Sequence, residues 1–405
     1  MAPMAALAGR RVLELADEKG VYCGKLLADM GADVIKIERP GGDPTRHIPP
    51  YWGDVAHPER GLFFLYTNTS KRGVTLDLTT PEGQDLFRRL ARTADLVIET
   101  FEPGYLDGLG LGYETLKRAT PKLVVTSITG FGQSGPYRAC KSSDLVANAL
   151  AGAMYVTGTE EDPPVVLAGS QAHMMASSCA AASSMIALFH STRCGEGQQI
   201  DISVEEVNVA VTHIAGVGRW LEDRLIPKRF GSALIAAVPS GAYPCKDGLI
   251  YIIVNRPLHW KALAQWISEV TGNDIVLDPL FEGPTANRQP VRDLLDVYIA
   301  DLTARFTVNE MYHEGQRRHL AVTPVNTAAG VAEDPHLAAR NYFVPVEHPG
   351  MGTLRYPGAP YRHKETPWAI TRPAPRVGQH NDEIYCGEMG VSAETVGRLR
   401  RQGVI

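Results

Sequence analysis

Residues 11–40 read RVLELADEKGVYCGKLLADMGADVIKIERP, and the alternation inside this stretch decides the fold class. Arg11 to Leu15 is a short apolar run, Tyr22 to Met30 has helix-like spacing, and Gly31 punctuates the chain before the strand-like run Asp33 to Ile37. Strand, helix and strand in this order predict a βαβ opening. The alternation continues with an extended run from Val74 to Leu78, a helical stretch from Pro81 to Arg92, and further β-rich runs from Asp95 to Ile98 and from Lys122 to Ser127. Strands that alternate with helices predict a mostly parallel sheet and an α/β protein.

Farther along, Ala172 to Phe189 is dense in Ala, Ser and Met, as expected of a helix packed closely on its neighbours. Gln198 to Ser203 resumes as a strand, and a long helix is expected from Val204 to Leu221. From about Pro227 the pattern changes to paired strands around Gly241-Ala-Tyr-Pro and Lys246-Asp-Gly, the Asp-Gly pair being a hairpin signal, with amphipathic helices to about His319. The expected division is a large domain over 1–225, a smaller α+β domain over 226–322, and a return of the chain over 323–405, ending in an amphipathic helix from Ala393 to Gln402.

The totals agree with two domains, since 405 residues exceed the roughly 250–300 at which a single core stops growing. A hydrophobic fraction of 44% with 21% charged residues excludes a disordered or fibrous chain. A net charge of -5 gives no global attraction to nucleic acid or acidic lipid, so an anion site must be local. The six cysteines lack CxxC spacing, and no disulfide framework or metal site is expected. No signal segment is apparent at the N-terminus, and no run approaches the roughly 20 apolar residues of a membrane span, so a cytoplasmic protein with no membrane partner is expected.

Motifs for familiar catalysts are missing: there is no GxSxG elbow, HExxH, Walker A or dinucleotide fingerprint. What remains is a glycine-rich loop, Gly130-Phe-Gly132-Gln-Ser-Gly-Pro136, directly after a predicted strand, where backbone can approach a ligand at the carboxyl edge of a sheet. Glycine and proline after a strand also make a plain turn. Lys36-Ile-Glu-Arg39 and Asn68-Thr-Ser-Lys71-Arg72 place cations at strand termini, suited to phosphates or simply to solvent.

Taken together, several segments resemble the family III CoA-transferases of the CaiB/BaiF type: Leu27 to Pro40, Gly42-Asp-Pro-Thr-Arg46, Ser70 to Asp77, Gly130 to Tyr137, Asp144-Leu-Val-Ala-Asn-Ala, Gly195-Glu-Gly-Gln198 and Gly378 to Ile384. They stand in the family's order and cover nearly the whole chain. The resemblance implies a Rossmann-like large domain made from both chain ends plus a smaller domain, with two ring-shaped subunits interlocked as a dimer. It also implies a CoA thioester as substrate, with an acyl-CoA and a carboxylic acid as the two reactants and no permanently bound cofactor. Arg39, Lys71 and Lys141 match the family positions that meet CoA, and Gly130 and Gly132 match its glycine loop.

In the family's mechanism an aspartate carboxylate attacks the donor thioester and then carries CoA as an aspartyl thioester. Counting back from Gly195-Glu-Gly-Gln198 places that aspartate at His173, in Gly169-Ser-Gln-Ala-His-Met-Met175. Imidazole cannot form the acyl anhydride, so the replacement is not chemically conservative. The carboxylates nearest in sequence, Glu160, Glu161 and Asp162, lie some ten residues away. Two further departures are Gly108, where the family has Arg, and Thr100, where it has Asn. The racemases of the same family pair a His with an Asp, and here those positions read Ser143 and His173, so proton exchange on two faces has lost its groups.

Three readings follow. The chain is the aspartate-lacking subunit of a transferase, with succinyl-CoA as the donor suggested by analogy, whose nucleophile comes from a paralogous aspartate-bearing partner, as in members built from two different subunits. Alternatively, it is a self-sufficient transferase or hydrolase using His173, or a non-catalytic acyl-CoA-binding homodimer.

Overall fold

The computed structural model describes residues 5–213, 215–234 and 236–405. The chain divides into two compact units, one made of Met1–Met154, Val166–Leu225 and Asn341–Ile405, the other of Tyr155–Val165 and Ile226–Arg340.

The first unit is built on six strands: β1 (Arg11–Leu15), β2 (Asp33–Glu38), β3 (Arg72–Thr75), β4 (Leu96–Glu99), β5 (Val124–Thr129) and β6 (Gln199–Ser203). They form one sheet in the order β3-β2-β1-β4-β5-β6, and every neighbouring pair is parallel. Its helices are α1 (Val21–Asp29), α2 (Leu62–Thr67), α3 (Pro81–Ala91), α4 (Tyr105–Gly108), α5 (Tyr113–Ala119), α6 (Asp144–Leu150), α7 (Gln171–Cys194), α8 (Val204–Thr212) and α9 (Val217–Asp223). The strand order reverses between β1 and β4, so the crevice outside the carboxyl ends of these two strands is the topological switch point, where α/β sheets hold their ligands.

Period-two alternation along β1 explains the two cores. Leu13 and Leu15 face one side, with Phe87 and Leu90 of α3, while Val12 and Ala16 face the other, with Leu27 of α1 and Ala180 of α7. Alanines let α7 lie close to the sheet. Ala172, Ala176 and Ala180 are fully buried, and hydroxyls tie the helix to β5 through the Thr126–Ser184 hydrogen bond of 2.7 Å. Contrary to the reading of the sequence, this 24-residue helix is long and apolar enough, by length and composition alone, to cross a membrane. Half of its most apolar window is buried inside the protein, and its small residues are what pack on α1 and β5.

The second unit holds an antiparallel sheet of β7 (Ser240–Pro244), β8 (Leu249–Ile253) and β9 (Ala321–Pro324), with α10 (Pro257–Thr271), α11 (Arg292–Thr303), α12 (Val308–Arg317), α13 (Ala328–Ala332) and α14 (Pro335–Ala339). Lys246-Asp-Gly does close the β7–β8 hairpin, with the Cys245 N–H donating to the Gly248 carbonyl at 2.8 Å. Trp260 and Trp266 of α10 are buried in this unit's own core.

The chain then returns to the first unit as the hairpin β10 (Phe343–His348) with β11 (Gly352–Pro357), and ends in α15 (Ala393–Arg401). Val396, Leu399 and Val404 join the core beneath Leu13 and Ile35. The large Rossmann-like body therefore contains both chain ends, as the resemblance implied.

Two local expectations differ. The extended run expected from Val74 to Leu78 enters the sheet only over Arg72–Thr75, and Leu76 and Leu78 are buried beyond its end. The helix expected from Val204 to Leu221 breaks into α8 and α9, because Gly216 takes φ −117, ψ −111, a conformation outside the helical region; residue 214, inside the expected span, lies outside the described residues.

Candidate active site

The β1–α1 connection, Ala16-Asp-Glu-Lys-Gly20, lies at the switch point, and its neighbours define the site. The Asp17 N–H donates to Thr100 Oγ1, beyond the end of β4, at 2.9 Å, bridging the two sides of the crevice. Ser177 Oγ of α7 donates to the Lys19 carbonyl at 2.8 Å. Lys19 Nζ pairs with Asp17. Thr100, read from sequence as a loss, is thus a structural tie across the switch point.

His173 sits one turn before Ser177, at the start of α7. Its backbone N–H donates to Asp144 Oδ1, at the start of α6, at 3.1 Å. The residue is 2% exposed, and neither ring nitrogen has a hydrogen-bond partner among the described residues. Burial pushes the imidazole below its ordinary value despite the opposing pull of the Asp144 carboxylate, a shift that favours the neutral form of the ring. A neutral, desolvated ring is a poor electrostatic substitute for a carboxylate nucleophile. Ser143 caps α6, its Oγ accepting from the Val146 N–H at 3.3 Å.

Glu99 ends β4 at the same edge. It is buried, and desolvation pushes its carboxyl up to about 7, against the hydrogen bonds from Ser127 and from the Phe101 N–H, the latter at 2.8 Å. The sequence reading passed over Glu99. The available signal was a single acidic residue closing the apolar run Leu-Val-Ile-Glu at the carboxyl end of a central strand.

The other expected residues separate into two groups. Arg39, just after β2, is exposed, its Nε donating to the Gly42 carbonyl at 3.3 Å. Lys141, in the β5–α6 connection, has a side chain 85% exposed and pairs with Glu102, which follows β4; water screens so exposed a pair, which holds its partners only weakly. Both cations therefore extend from the carboxyl side of the sheet. Lys71 does not. It precedes β3, is fully buried, and donates to Glu14 Oε2 at 2.7 Å, the Val21 carbonyl at 2.8 Å and Asn68 Oδ1 at 3.1 Å.

Gly130 and Gly132 shape their loop in different ways. A Cβ on Gly130 would lie 2.2 Å from Ser142 Cβ, so the loop passes directly against the approach to α6. Gly132 has φ +83, and the next N–H, of Gln133, donates to both Asp201 oxygens at 3.0 and 2.9 Å. Gly108 is exposed, and a side chain there would meet open space. Glu160, Glu161 and Asp162 belong to the second unit.

A parallel sheet of this order, with its crevice lined by the β1, β4 and β5 connections and the start of α7, defines a Rossmann-like large domain with its candidate site at the carboxyl edge. The chain belongs to CoA-transferase family III, which it matches over residues 7–381. CoA thioesters are the substrates of this family, and the chain is of the CoA-transferase class of enzyme. It is 36% identical, over 98% of its own length and 97% of the relative's, to the succinyl-CoA:(R)-benzylsuccinate CoA-transferase subunit BbsE of Thauera aromatica. It is 33% identical to the succinyl-CoA–D-citramalate CoA-transferase of Chloroflexus aurantiacus, over 98% of this chain and 97% of that one. Among solved structures, a CaiB/BaiF family protein from Brucella suis superposes with a TM-score of 0.84 at 29% identity, covering 95% of this chain and 99% of the other.

Proposed function

We propose that this chain is the aspartate-lacking subunit of a family III CoA-transferase that moves CoA from a donor such as succinyl-CoA to a carboxylic acid, the nucleophilic aspartate being supplied by a paralogous partner subunit. The observation that carries this reading is His173: a buried ring whose nitrogens have no hydrogen-bond partner among the described residues, at the place where the resemblance puts the catalytic carboxylate. Arg39 and Lys141, both exposed, with the loop through Gly130 and Gly132, are the proposed CoA-binding elements, and three phosphates on one ligand suit separate cations. Likeness to a protein named as a subunit supports a two-chain enzyme.

The proposed partner interlocks with this chain as a ring dimer. Support comes from large apolar side chains left exposed on consecutive helices: Leu150 on α6, Ile186 and Phe189 on α7, Val211 on α8, and Trp220 and Leu221 on α9. Apolar surface of this kind marks interaction sites.

The test is to purify the chain alone and co-expressed with an aspartate-bearing paralogue, then assay CoA transfer from succinyl-CoA to a panel of carboxylic acids. Activity confined to the co-expressed preparation, and unchanged by His173→Ala, is expected. Transfer or hydrolysis by the chain alone, abolished by His173→Ala, would make His173 catalytic and end this reading. Absence of turnover in both preparations, with acyl-CoA still bound, would favour a non-catalytic binding protein.

A further inference from the structure

Lys71 is one of three cations that the family resemblance assigns to CoA, yet its ammonium is fully enclosed by the protein. We propose instead that Lys71 is a positioning residue, which together with Lys36 fixes the two ends of the switch-point connection 16–20 and touches no phosphate of CoA. The proposal rests on the reading that this chain binds CoA thioesters at the carboxyl edge of its sheet.

Two carbonyls bracket the connection. Lys36 Nζ donates to the Ala16 carbonyl at 2.7 Å, where the chain leaves β1. Lys71 Nζ donates to the Val21 carbonyl at 2.8 Å, where the chain enters α1. Both ammoniums share one carboxylate, Glu14, at 3.3 and 2.7 Å, and all three side chains are fully buried. Lys36 also pairs with Asp43 at 3.3 Å, in the turn that follows Arg39. Room for this cluster is made by Gly24 of α1, where a Cβ would lie 1.6 Å from Glu14 Oε2.

Between the anchored ends, the connection is tied sideways to Thr100 and Ser177. Four supports therefore set where Asp17, Glu18 and Lys19 stand relative to His173, and two of the four are the buried lysines. A phosphate could reach Lys71 only by displacing Glu14, which would take from a buried carboxylate the nearer of its two ammonium partners, a costly exchange. The geometry assigns Lys71 to the end of the ligand that enters the switch point and not to its phosphates.

Adenosine 3′,5′-bisphosphate, the phosphate-bearing end of CoA, separates the two roles. Calorimetric titration of full-length protein, assembled with its partner where it has one, compares whole CoA with this fragment for the wild type, Lys71→Gln and Lys141→Ala. For Lys71→Gln, whole CoA should weaken about tenfold, the loss of one charge-assisted hydrogen bond, while the fragment binds as to the wild type. Amide exchange over residues 16–23 should quicken in the same variant. Lys141→Ala should weaken both ligands. Equal weakening of both ligands by Lys71→Gln, with exchange unchanged, would overturn the proposal and return Lys71 to the phosphates. A wild type that binds neither ligand would overturn the CoA-binding reading and this inference with it. Should Lys71→Gln fail to fold, Lys36→Gln tests the other end of the same connection by the same two readouts.

Discussion

Asp144 Oδ1 accepts a hydrogen bond from the backbone N–H of His173 at 3.1 Å, so the first turn of α7 is capped from a different helix. The helix is not capped by its own N-cap residue: Ser170 has φ 51, ψ 49 and its side chain makes no capping hydrogen bond. Asp144→Ala should therefore cost about 1 kcal/mol, typical of a lost N-cap, while Asp144→Asn, which keeps an acceptor, should cost less. Urea denaturation of the two variants checks this. Equal losses would mean that the charge at the helix N-terminus, and not the bond, carries the effect.

Glu99 should leave a signature in the pH dependence of stability. Its folded value, about 7, lies above its ordinary 4.5 because burial penalises the charged form. Between these values the native state holds a proton that the unfolded state has released, so stability falls as pH rises through this window; the cost is absent below it and complete above it. At 1.36 kcal/mol per pH unit, the loss amounts to roughly 3 kcal/mol at most. Glu99→Gln should abolish this slope, so that the variant gains on the wild type from pH 5 to pH 8 in denaturant midpoints. Parallel curves for the two proteins would show that Glu99 is ionised normally.

Glu14 holds two buried ammoniums, and removing it alone should be severe. Glu14→Leu is expected to cost about 3–5 kcal/mol, because it leaves Lys71 and Lys36 without their shared counter-charge. Burial already pushes Lys71 down to about 8, ahead of the opposing pull of Glu14. Combining Glu14→Leu with Lys71→Met should recover part of the loss, and a double-mutant cycle on chemical denaturation measures the coupling. Additive losses would mean that the pair does not act as one unit.

Gly130→Ala tests the turn into α6. The added methyl would lie 2.2 Å from Ser142 Cβ, and overpacking of this kind costs about 1–3 kcal/mol. Ser142→Gly in the same chain should relieve it, read as recovery of the melting temperature. Failure of the second substitution to restore stability would place the strain elsewhere.

The parts of the fold that were legible in sequence are those with local causes. The run from Arg11 to Leu15 is β1 without adjustment, since a short apolar run bounded by polar residues leaves few alternatives. The Ala-rich stretch is helical, and α7 continues past Phe189 to Cys194, stopping where Gly195 takes φ +81. The Val204–Leu221 expectation missed its break, because apolar spacing carries across a glycine whose backbone angles it does not reveal. In the site, His173 was located by counting from a motif, whereas Glu99 was passed over because a lone acidic residue at a strand end looks like any other.

The sequence by itself determined the βαβ alternation of the first unit, the family to which the chain belongs, and the absence of an aspartate at position 173. These depend on local spacing and on residue identity. Only the tertiary structure decided that Lys71 is buried and Lys141 is exposed, although both are lysines near other polar residues. Glu14 lies 57 positions from Lys71, and only the parallel pairing of β1 with β2 and of β2 with β3, with α1 laid across at Gly24, brings that carboxylate to that ammonium. A charge is fixed by its residue type; whether it meets solvent or another charge is fixed by which distant strands become neighbours.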